Sequence, residues 1–182
     1  LALDSSGNPR ISYYDNDNDS LKYASYDGSS WNIETVDSDG DVGQYTSLAL
    51  DSSDNPRISY YDATEDDLKY ASYNGSSWNI ETVDSDGNVG KYTSLALDSS
   101  GNPRISYYDA DNDSLKYASY DGSSWNIETV DSSGDVGQYT SLALDSSGNP
   151  RISYYDDTND DLKYASWNGS SWSIEEVDDD AE

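Results

Sequence analysis

Residues 47–83 read S-L-A-L-D-S-S-D-N-P-R-I-S-Y-Y-D-A-T-E-D-D-L-K-Y-A-S-Y-N-G-S-S-W-N-I-E-T-V. This stretch holds four short runs of strand-forming residues, separated by three clusters of turn residues. Nearly the same sequence precedes and follows it, because the run Leu-Ala-Leu-Asp begins at Leu1, Leu48, Leu95 and Leu142. The period is therefore 47 residues, a length typical of solenoids, propellers and other repeat architectures.

Each repeat predicts four β-strands joined by short turns. In the first repeat the strand-forming runs are residues 1–4, 10–15, 21–26 and 31–36. The turn before the second run contains Gly7, Asn8 and Pro9. These suit a turn because Gly adopts positive φ, Asn bonds to nearby backbone and Pro fixes φ. Asp27-Gly28 predicts a tight hairpin between the third and fourth runs, and no window shows the 3.6-residue period of a helix.

We predict an all-β fold, a β-propeller built of four near-identical, four-stranded antiparallel blades with a 47-residue period. A β-solenoid is the alternative, and the hairpins of the Asp-Gly type favour the propeller. The sequence predicts one propeller domain or propeller segment over residues 1–182, with blades at residues 1–37, 48–84, 95–131 and 142–178. The residues that separate the blades, such as 38–47, are predicted to be linkers.

The number of blades leaves three arrangements open. Four blades is the low end of the range for closed propellers, and no predicted strand is shared between the first and fourth units. The chain could close a four-bladed ring, two chains could form an eight-bladed ring, or the chain could belong to a longer array. We therefore expect self-association, or contact with neighbouring blades of a longer chain.

The charge of the chain excludes two classes of partner. Asp and Glu number 37 against 9 Lys plus Arg, which gives a formal net charge of −28. Nucleic acids and anionic membrane surfaces both require a basic footprint, so we expect neither as a partner. No apolar run reaches the roughly 20 residues needed to span a bilayer, so we expect no membrane insertion.

The composition also argues against familiar catalysis. The sequence contains neither Cys nor His, the residues that most often serve as nucleophile and general base. Each unit carries nearly the same residues, whereas an enzyme site needs different roles at one place, so we predict that the chain is not an enzyme. The absence of an initiator Met and of an apolar leader indicates a mature or excised segment. We expect an extracellular or cell-surface location, which glycosylation of the N-x-Ser sequons at Asn18, Asn74, Asn112 and Asn168 would support.

One segment of each repeat resembles a known family. The pattern Leu21-x-Tyr23-x-x-Tyr26-Asp27-Gly28-Ser29-Ser30-Trp31 resembles the blade signature of tectonin and tachylectin-like propellers and of the related bacterial propeller lectins. It is also similar to the Asp-box hairpin of sialidase-like propellers, with one residue fewer between the Asp and the Trp. The signature recurs at residues 68–78, 115–125 and 162–172. The resemblance implies a non-enzymatic propeller that often binds sugar.

Acidic loops make calcium the candidate ion. The candidate ligands lie in two loops of the first repeat: Asp15, Asp17 and Asp19, and Asp37, Asp39 and Asp41. Oxygen ligands at alternating positions near Gly suit Ca²⁺, and alternating strand directions would place the two loops at the same end of the blade. The alternative interpretation is that these residues accept hydrogen bonds in turns on a solvated rim.

Four tryptophans are the candidate ligand-binding residues: Trp31, Trp78, Trp125 and Trp172. Exposed Trp and Tyr beside carboxylates could stack on sugar rings, and the alternative is that these rings pack at the blade edges. We predict a non-catalytic extracellular module for adhesion, assembly or recognition. The alternative is a multivalent carbohydrate-binding lectin with equivalent sites at the blades or blade junctions.

Overall fold

The computed structural model describes residues 1–178 and consists of sixteen β-strands. Residues 179–182, which the predicted domain includes, lie outside the described residues. Within the described chain, no helix has the length and apolar character needed to cross a membrane.

The strands form four antiparallel sheets, and each sheet contains four strands in sequence order. Sheet 1 contains β1 (Ala2–Leu3), β2 (Pro9–Asp15), β3 (Ser20–Tyr26) and β4 (Trp31–Asp37). Sheet 2 contains β5 (Val42–Leu50), β6 (Pro56–Asp62), β7 (Asp67–Tyr73) and β8 (Trp78–Asp84). Sheet 3 contains β9 (Val89–Leu97), β10 (Pro103–Asp109), β11 (Ser114–Tyr120) and β12 (Trp125–Asp131). Sheet 4 contains β13 (Val136–Leu144), β14 (Pro150–Asp156), β15 (Asp161–Trp167) and β16 (Trp172–Asp178). The prediction of four repeated four-stranded blades is confirmed.

The alternating pattern of each strand supplies two buried faces. In β7, Leu68 and Tyr70 point to one face and pack in a cluster with residues of sheet 3. Ala71 points to the other face and packs in a cluster with residues of sheet 1. Successive side chains of a strand point to opposite faces. A strand with apolar residues at both odd and even positions therefore suits a sheet that is covered on both sides.

Three hydrophobic clusters hold the sheets together in the order 1-2-3-4. Within residues 1–178 no such cluster joins sheet 4 to sheet 1. Leu162 of sheet 4 is accordingly 44% exposed, whereas its equivalents Leu21, Leu68 and Leu115 are fully buried. Over residues 1–178 the four blades therefore form an open stack with three junctions rather than a closed four-bladed ring.

The innermost strand of sheets 2, 3 and 4 is longer than the sequence pattern indicated. Strand β5 begins at Val42, inside the segment that was predicted to be a linker. Its pairing with β6 shifts register between Val42 and Gln44 and again between Gln44 and Ser47. Gly43 has φ +106° and Tyr45 has φ +52°. These irregularities break the two-residue alternation by which a strand is recognised, which is why this half of the strand was missed.

A close approach of backbones explains the glycine in this segment. A Cβ atom at Gly90 would lie 2.8 Å from the Cα atom of Leu68, in the preceding sheet. No residue other than glycine fits there without movement of the backbone, and the positive φ of +106° adds a second requirement for glycine. The same contact recurs at Gly43 with Leu21 and at Gly137 with Leu115.

Ionic groups are buried between the sheets. The Tyr107 hydroxyl donates to Asp84 Oδ2 of the preceding sheet at 2.6 Å. Lys116 Nζ lies 3.2 Å from Asp84 Oδ2 and 3.2 Å from Asp109 Oδ2. Burial favours a lower pKa for Lys116, but the two carboxylates outweigh it and raise the pKa of this ammonium group. Lysine therefore neutralises carboxylates that would otherwise be buried without a counter-charge.

Candidate functional site

Clefts lined by aromatic and charged side chains occur at the three junctions between sheets. Their volumes are about 200 Å³ between sheets 1 and 2, 250 Å³ between sheets 2 and 3, and 210 Å³ between sheets 3 and 4. Equivalent residues of the preceding sheet line all three, so the second junction serves to describe the set. In the facing wall of the first cleft, Asp54 takes the place of Gly101 and Gly148, and Trp78 is not part of the lining. We call these clefts the junction clefts.

One wall of the second junction cleft comes from sheet 2. It consists of Arg57, Tyr70, Ser72 and Glu81. Arg57 lies opposite Ser72 in the β6–β7 register, and Tyr70 lies opposite Glu81 in the β7–β8 register. Because residues opposite each other share a face, and Tyr70 and Ser72 are two apart on one strand, all four side chains lie on the same face of the sheet.

The facing wall comes from sheet 3. It is formed by the turn residues 101–103, by Tyr120 and by Trp125. The Trp125 ring meets the Tyr70 ring edge-on, with centroids 5.6 Å apart. Its indole Nε1 donates to Glu81 Oε2 at 3.3 Å. Trp125 therefore closes the cleft at one end and fixes the orientation of the carboxylate opposite.

The guanidinium group of Arg57 is held in place by two acceptors. Arg57 Nη2 donates to Asp51 Oδ2 at 2.7 Å, and Arg57 Nη1 donates to the Tyr73 carbonyl at 3.2 Å. Burial opposes ionisation of Asp51, but N–H donors from Asn55 and Ser53, together with the guanidinium, hold the pKa of this carboxyl below its usual value. The cleft thus presents a charged, oriented guanidinium at neutral pH.

Tyrosines in the clefts remain protonated at neutral pH. Burial raises the pKa of Tyr117, the equivalent of Tyr70, to about 12. Burial likewise raises the pKa of Tyr70. Each hydroxyl is therefore able to donate as well as accept a hydrogen bond.

The same wall recurs in the other two junctions. In the first junction cleft it is Arg10, Tyr23, Ser25 and Glu34, and in the third it is Arg104, Tyr117, Ser119 and Glu128. The third cleft differs in its facing wall, where Trp167 occupies the position of Tyr73 and Tyr120.

The first junction has two hydrogen-bond donors without an acceptor. Arg10 Nε and Trp78 Nε1 are buried and neither has a hydrogen-bond partner. Trp125 and Trp172, the equivalents of Trp78, donate to Glu81 and Glu128. Buried donors are nearly always paired, and of these two residues Arg10 lines the first junction cleft whereas Trp78 does not.

A larger cleft of about 370 Å³ lies beside the second junction, at the ends of the inner strands. Its lining is mainly the Ser and Asp residues of two turns, with Leu50, Leu97 and Arg57. Asp51 and Asp98 in these turns already accept N–H groups of their own turns. This cleft lacks the aromatic wall of the junction clefts.

Three of the four predicted tryptophans lie at the junctions. Trp78, Trp125 and Trp172 each meet a tyrosine of the preceding sheet at 5.5 to 5.7 Å between ring centroids. Trp31 lies on sheet 1, the first sheet of the described residues, and is 48% exposed. Their role in ligand binding stays a prediction.

The charged residues of these clefts are not evident from the periodicity of the sequence. Arg57 and Glu81 lie 24 positions apart in the sequence and meet only because β6, β7 and β8 pair in register. One signal was available, since each repeat of this acidic chain carries a single Arg: Arg10, Arg57, Arg104 and Arg151.

The structure brings together part of the predicted calcium site. The Tyr14 hydroxyl donates to Asp19 Oδ1 at 3.1 Å and to Asp41 Oδ1 at 2.7 Å, so the two loops do lie at the same end of the blade. Asp15 and Asp37 accept backbone N–H groups from Asp17 and Asp39 in their own turns. Across residues 1–178 no three acidic side chains form a group that could hold a metal ion. The calcium site therefore stays a prediction without support from the geometry.

Comparisons with known proteins address the fold. No family model matches the sequence, and no curated protein matches it. Among solved structures, a fucose lectin from Kordia zhangzhouensis in complex with methyl-fucoside is 20% identical, with a TM-score of 0.51 over 71% of this chain and 96% of the lectin. A polysaccharide lyase, an ulvan lyase, is 14% identical with a TM-score of 0.63 over 90% of this chain. A protein of unknown function from Dyadobacter fermentans is 12% identical with a TM-score of 0.63 over 86% of this chain.

The extent of these likenesses differs. This chain spans almost the whole length of the lectin but 50% of the lyase and 58% of the Dyadobacter protein. At identities of 20% and below, the likeness shows the fold alone. The chain is a set of four consecutive β-propeller blades, joined through three equivalent junctions.

Proposed function

We propose that the chain is a carbohydrate-binding protein of the lectin type, with one equivalent site in each junction cleft. The observation that carries the proposal is the recurrence of an oriented Arg, a Glu, a Ser and an aromatic wall at three successive junctions. The likeness to a fucose lectin bound to methyl-fucoside and the resemblance of the hairpin segment to propeller lectins both support it.

The chemistry of the clefts suits a neutral sugar. A hydroxyl group can accept from the guanidinium of Arg57 and donate to the carboxylate of Glu81, and both hydrogen bonds are strengthened by charge. The Trp125 and Tyr120 rings offer an apolar surface for the C–H groups of a pyranose ring. Anionic sugars are disfavoured because the chain carries a net charge of −28.

The first junction supplies an independent argument. Arg10 Nε and Trp78 Nε1 are buried donors without a partner. Leaving a buried donor unpaired costs about 1–3 kcal/mol. Arg10 lines the first junction cleft, so a hydroxyl oxygen of a bound sugar would supply an acceptor for its Nε. A ligand rich in hydroxyl groups is therefore favoured over an apolar one.

The proposal includes a non-catalytic role at the outside of a cell. Equivalent residues recur at every junction, which suits repeated binding better than a single reaction centre with different roles. The sequon residues Asn74 and Asn168 are exposed, as glycosylation of a secreted protein would require. Cell fractionation with an antibody tests the location, and a cytoplasmic signal would contradict it.

The central experiment is isothermal titration calorimetry of the dilute protein with methyl fucoside, followed by a panel of neutral monosaccharides. We expect saturation at three sites per chain. The triple variant Trp78→Ala/Trp125→Ala/Trp172→Ala is expected to lose the binding. Trp31→Ala is the matched control, because the same residue type lies there outside any junction within the chain, and it should retain all three sites.

A second triple variant separates binding from folding. Glu34→Gln/Glu81→Gln/Glu128→Gln keeps an acceptor for the indole N–H groups while it removes the charge. We expect the fold to survive by circular dichroism and the affinity to fall at least tenfold. A hydrogen bond to a charged group contributes about 1.5–3 kcal/mol, and about 1.4 kcal/mol corresponds to a factor of ten. Unchanged affinity in both triple variants, or no binding by any sugar of the panel, would overturn the proposal.

A further inference from the structure

The outward face of sheet 4 is a junction wall that no other sheet of residues 1–178 covers. Leu162 is 44% exposed and Val177 is 59% exposed. Their equivalents in sheet 2, Leu68 and Val83, are 0% and 7% exposed because sheet 3 covers them. Tyr164 is also partly exposed, whereas the three equivalent tyrosines are buried.

The outward face of sheet 1 is the complementary wall. Ile11 and Tyr13 are partly exposed, whereas their equivalents in the other sheets are buried: Ile58, Ile105 and Ile152, and Tyr60, Tyr107 and Tyr154. Trp31 is 48% exposed, and Pro9 is partly exposed where Pro56, Pro103 and Pro150 are buried. Both halves of a junction are therefore present in the chain, at opposite ends of the stack.

The internal junctions show how two such faces pack. At the second junction, Leu68 and Tyr70 of sheet 2 share one cluster with Ile105 and Tyr107 of sheet 3. The corresponding residues on the uncovered faces have the same identities, Leu162 and Tyr164 on sheet 4, and Ile11 and Tyr13 on sheet 1. The established junction is thus a template, residue by residue, for a contact between two copies.

We propose that two copies of this chain associate head to tail, with sheet 4 of one copy packed on sheet 1 of the next. The contact would also complete a further junction cleft. One copy supplies Arg151, Ser166 and Glu175, which are equivalent to Arg57, Ser72 and Glu81. The other copy supplies Tyr26 and Trp31 in the positions of Tyr120 and Trp125. Sugar binding by this composite cleft rests on the function proposed above, whereas the association does not.

The contact between copies should be weaker than the junctions within the chain. Strand β1 has two residues, whereas β5, β9 and β13 each have nine. Among the described residues, sheet 1 supplies no counterpart of Val42, Val89 and Val136, which are fully buried at the internal junctions. We expect association that depends on protein concentration. Because the two faces differ, the contact is heterologous, and its repetition closes a ring or extends a filament.

Sedimentation equilibrium over a wide range of concentrations tests the association. We expect the mass to rise above the 20.0 kDa of one chain as the concentration increases. Leu162→Asp should remain monomeric, because it places a charge on an uncovered face without disturbing a core. Ile80→Asp is the matched control: Ile80 is 39% exposed on the outer strand β8, so this variant should associate as the wild type does.

Mixing two variants identifies the geometry of the contact. Ile11→Asp blocks the face of sheet 1, and Trp31→Asp replaces it if Ile11→Asp does not fold. Each variant alone should be monomeric. An equimolar mixture of Leu162→Asp and Ile11→Asp should yield dimers and no larger species, because each variant keeps one functional face. If Leu162→Asp alone still dimerises, the contact joins like faces and the proposal is wrong.

Methyl fucoside titration distinguishes this proposal from the one on which it partly rests. Binding above three sites per chain in concentrated wild type, with three sites retained by Leu162→Asp, would support the composite cleft. A rise in mass without any sugar binding would leave the association standing and remove the sugar-binding function. A mass fixed at 20.0 kDa at every concentration would overturn the association, even with three sites occupied.

Discussion

Tyr107 illustrates how single residues hold the blades together. Its ring is fully buried, and its hydroxyl donates to Asp84 Oδ2 across the second junction at 2.6 Å. Burial and the nearby Asp84 carboxylate raise the pKa of Tyr107, so the phenol stays protonated and remains a donor. Tyr60 and Tyr154 make the same hydrogen bond to Asp37 and Asp131. One buried hydrogen bond to a charged group thus accompanies each apolar junction.

We expect Tyr107→Phe to lower the free energy of unfolding by about 1.5–3 kcal/mol, the usual value of a hydrogen bond to a charged group. Urea denaturation in dilute solution measures it. Tyr13→Phe is the matched control. Tyr13 occupies the equivalent position on sheet 1 and is partly exposed at its uncovered face, where water can hydrogen-bond to its hydroxyl. The control should cost less than about 0.5 kcal/mol. Equal losses in the two variants would contradict the interpretation.

The four hairpin turns differ at one position, which is Asp in two blades and Asn in the other two. This difference predicts a pH-dependent stability. Asp121 accepts N–H groups from Ser124 and Ser123, which lowers its pKa to about 2. The pKa of Asp27 is lowered by the same contacts with Ser30 and Ser29. Asn74 and Asn168 occupy this position in the other two blades and accept equivalent bonds. The turn therefore forms with or without the charge.

We expect Asp27→Asn/Asp121→Asn to fold normally and to be less stable than the wild type at neutral pH. The unfolded chain has a carboxyl pKa of about 3.9 and takes up protons first as the pH falls. The stabilisation by the ionised Asp is thus complete above about pH 4. It is lost as the pH falls to about 2, the pKa of Asp121 in the folded chain. Denaturation midpoints at several pH values should converge at the acidic end, whereas a constant gap between the two proteins would refute the effect.

Individual tryptophans were predictable from the sequence, but their environment was not. The spacing of the repeat identified Trp31, Trp78, Trp125 and Trp172 as equivalent. Their neighbours depend on which sheet docks on which face, and Trp31 differs from the others because it lies on sheet 1, the first sheet of the described residues. Arg57 and Glu81 were missed for the same reason, since periodicity within one strand does not reveal which residues on other strands share its face.

At the scale of the element, the inner strand is the part of the blade that periodicity describes least well. The hairpin at Asp27-Gly28 and the second, third and fourth strands follow the predicted pattern. The segment around Gly43 and Tyr45 does not, because both residues have positive φ and the pairing shifts register. This irregular backbone has a structural purpose, as it allows close approach to the preceding sheet.

We expect Gly90→Ala to destabilise the protein more than Gly122→Ala. Both glycines have positive φ, near +106° and +100°, so each substitution should incur backbone strain of about 1–3 kcal/mol. A Cβ at Gly122 meets no atom within 4 Å, whereas a Cβ at Gly90 meets the Leu68 backbone. Thermal unfolding gives the difference, and equal losses would show that the close approach contributes nothing.

At the scale of the molecule, burial depends on position in the stack rather than on sequence. Leu115 and Leu162 occupy the same place in the repeat, yet one is fully buried and the other is 44% exposed. Leu115→Ala should cost about 2–5 kcal/mol, as expected for a cavity in a packed core. Leu162→Ala should cost about 1 kcal/mol or less in the monomer. Chemical denaturation of the two variants in dilute solution tests this, and similar losses would imply that sheet 4 is covered.

The net charge of −28 should make the fold sensitive to salt. Added NaCl shortens the Debye length from about 10 Å at 0.1 M to about 3 Å at 1 M and weakens the repulsion between acidic residues. We therefore expect the thermal midpoint to rise with NaCl, and a midpoint that falls would contradict this. CaCl₂ and MgCl₂ at equal ionic strength separate screening from specific binding. A larger rise with CaCl₂ alone would support the predicted calcium site.

The near-identity of the four blades also bears on how the chain reaches its native state. A sheet that has formed presents nearly the same surface as the other sheets of the chain. In a partly folded molecule, two sheets that are not neighbours in the sequence can therefore pack on each other and leave the sheet between them unpacked. Such trapped species are the characteristic failure of tandem repeats. The few positions at which the repeats differ, such as Asn88 in place of Asp41 and Trp167 in place of Tyr120, are then the features available to favour correct docking during refolding.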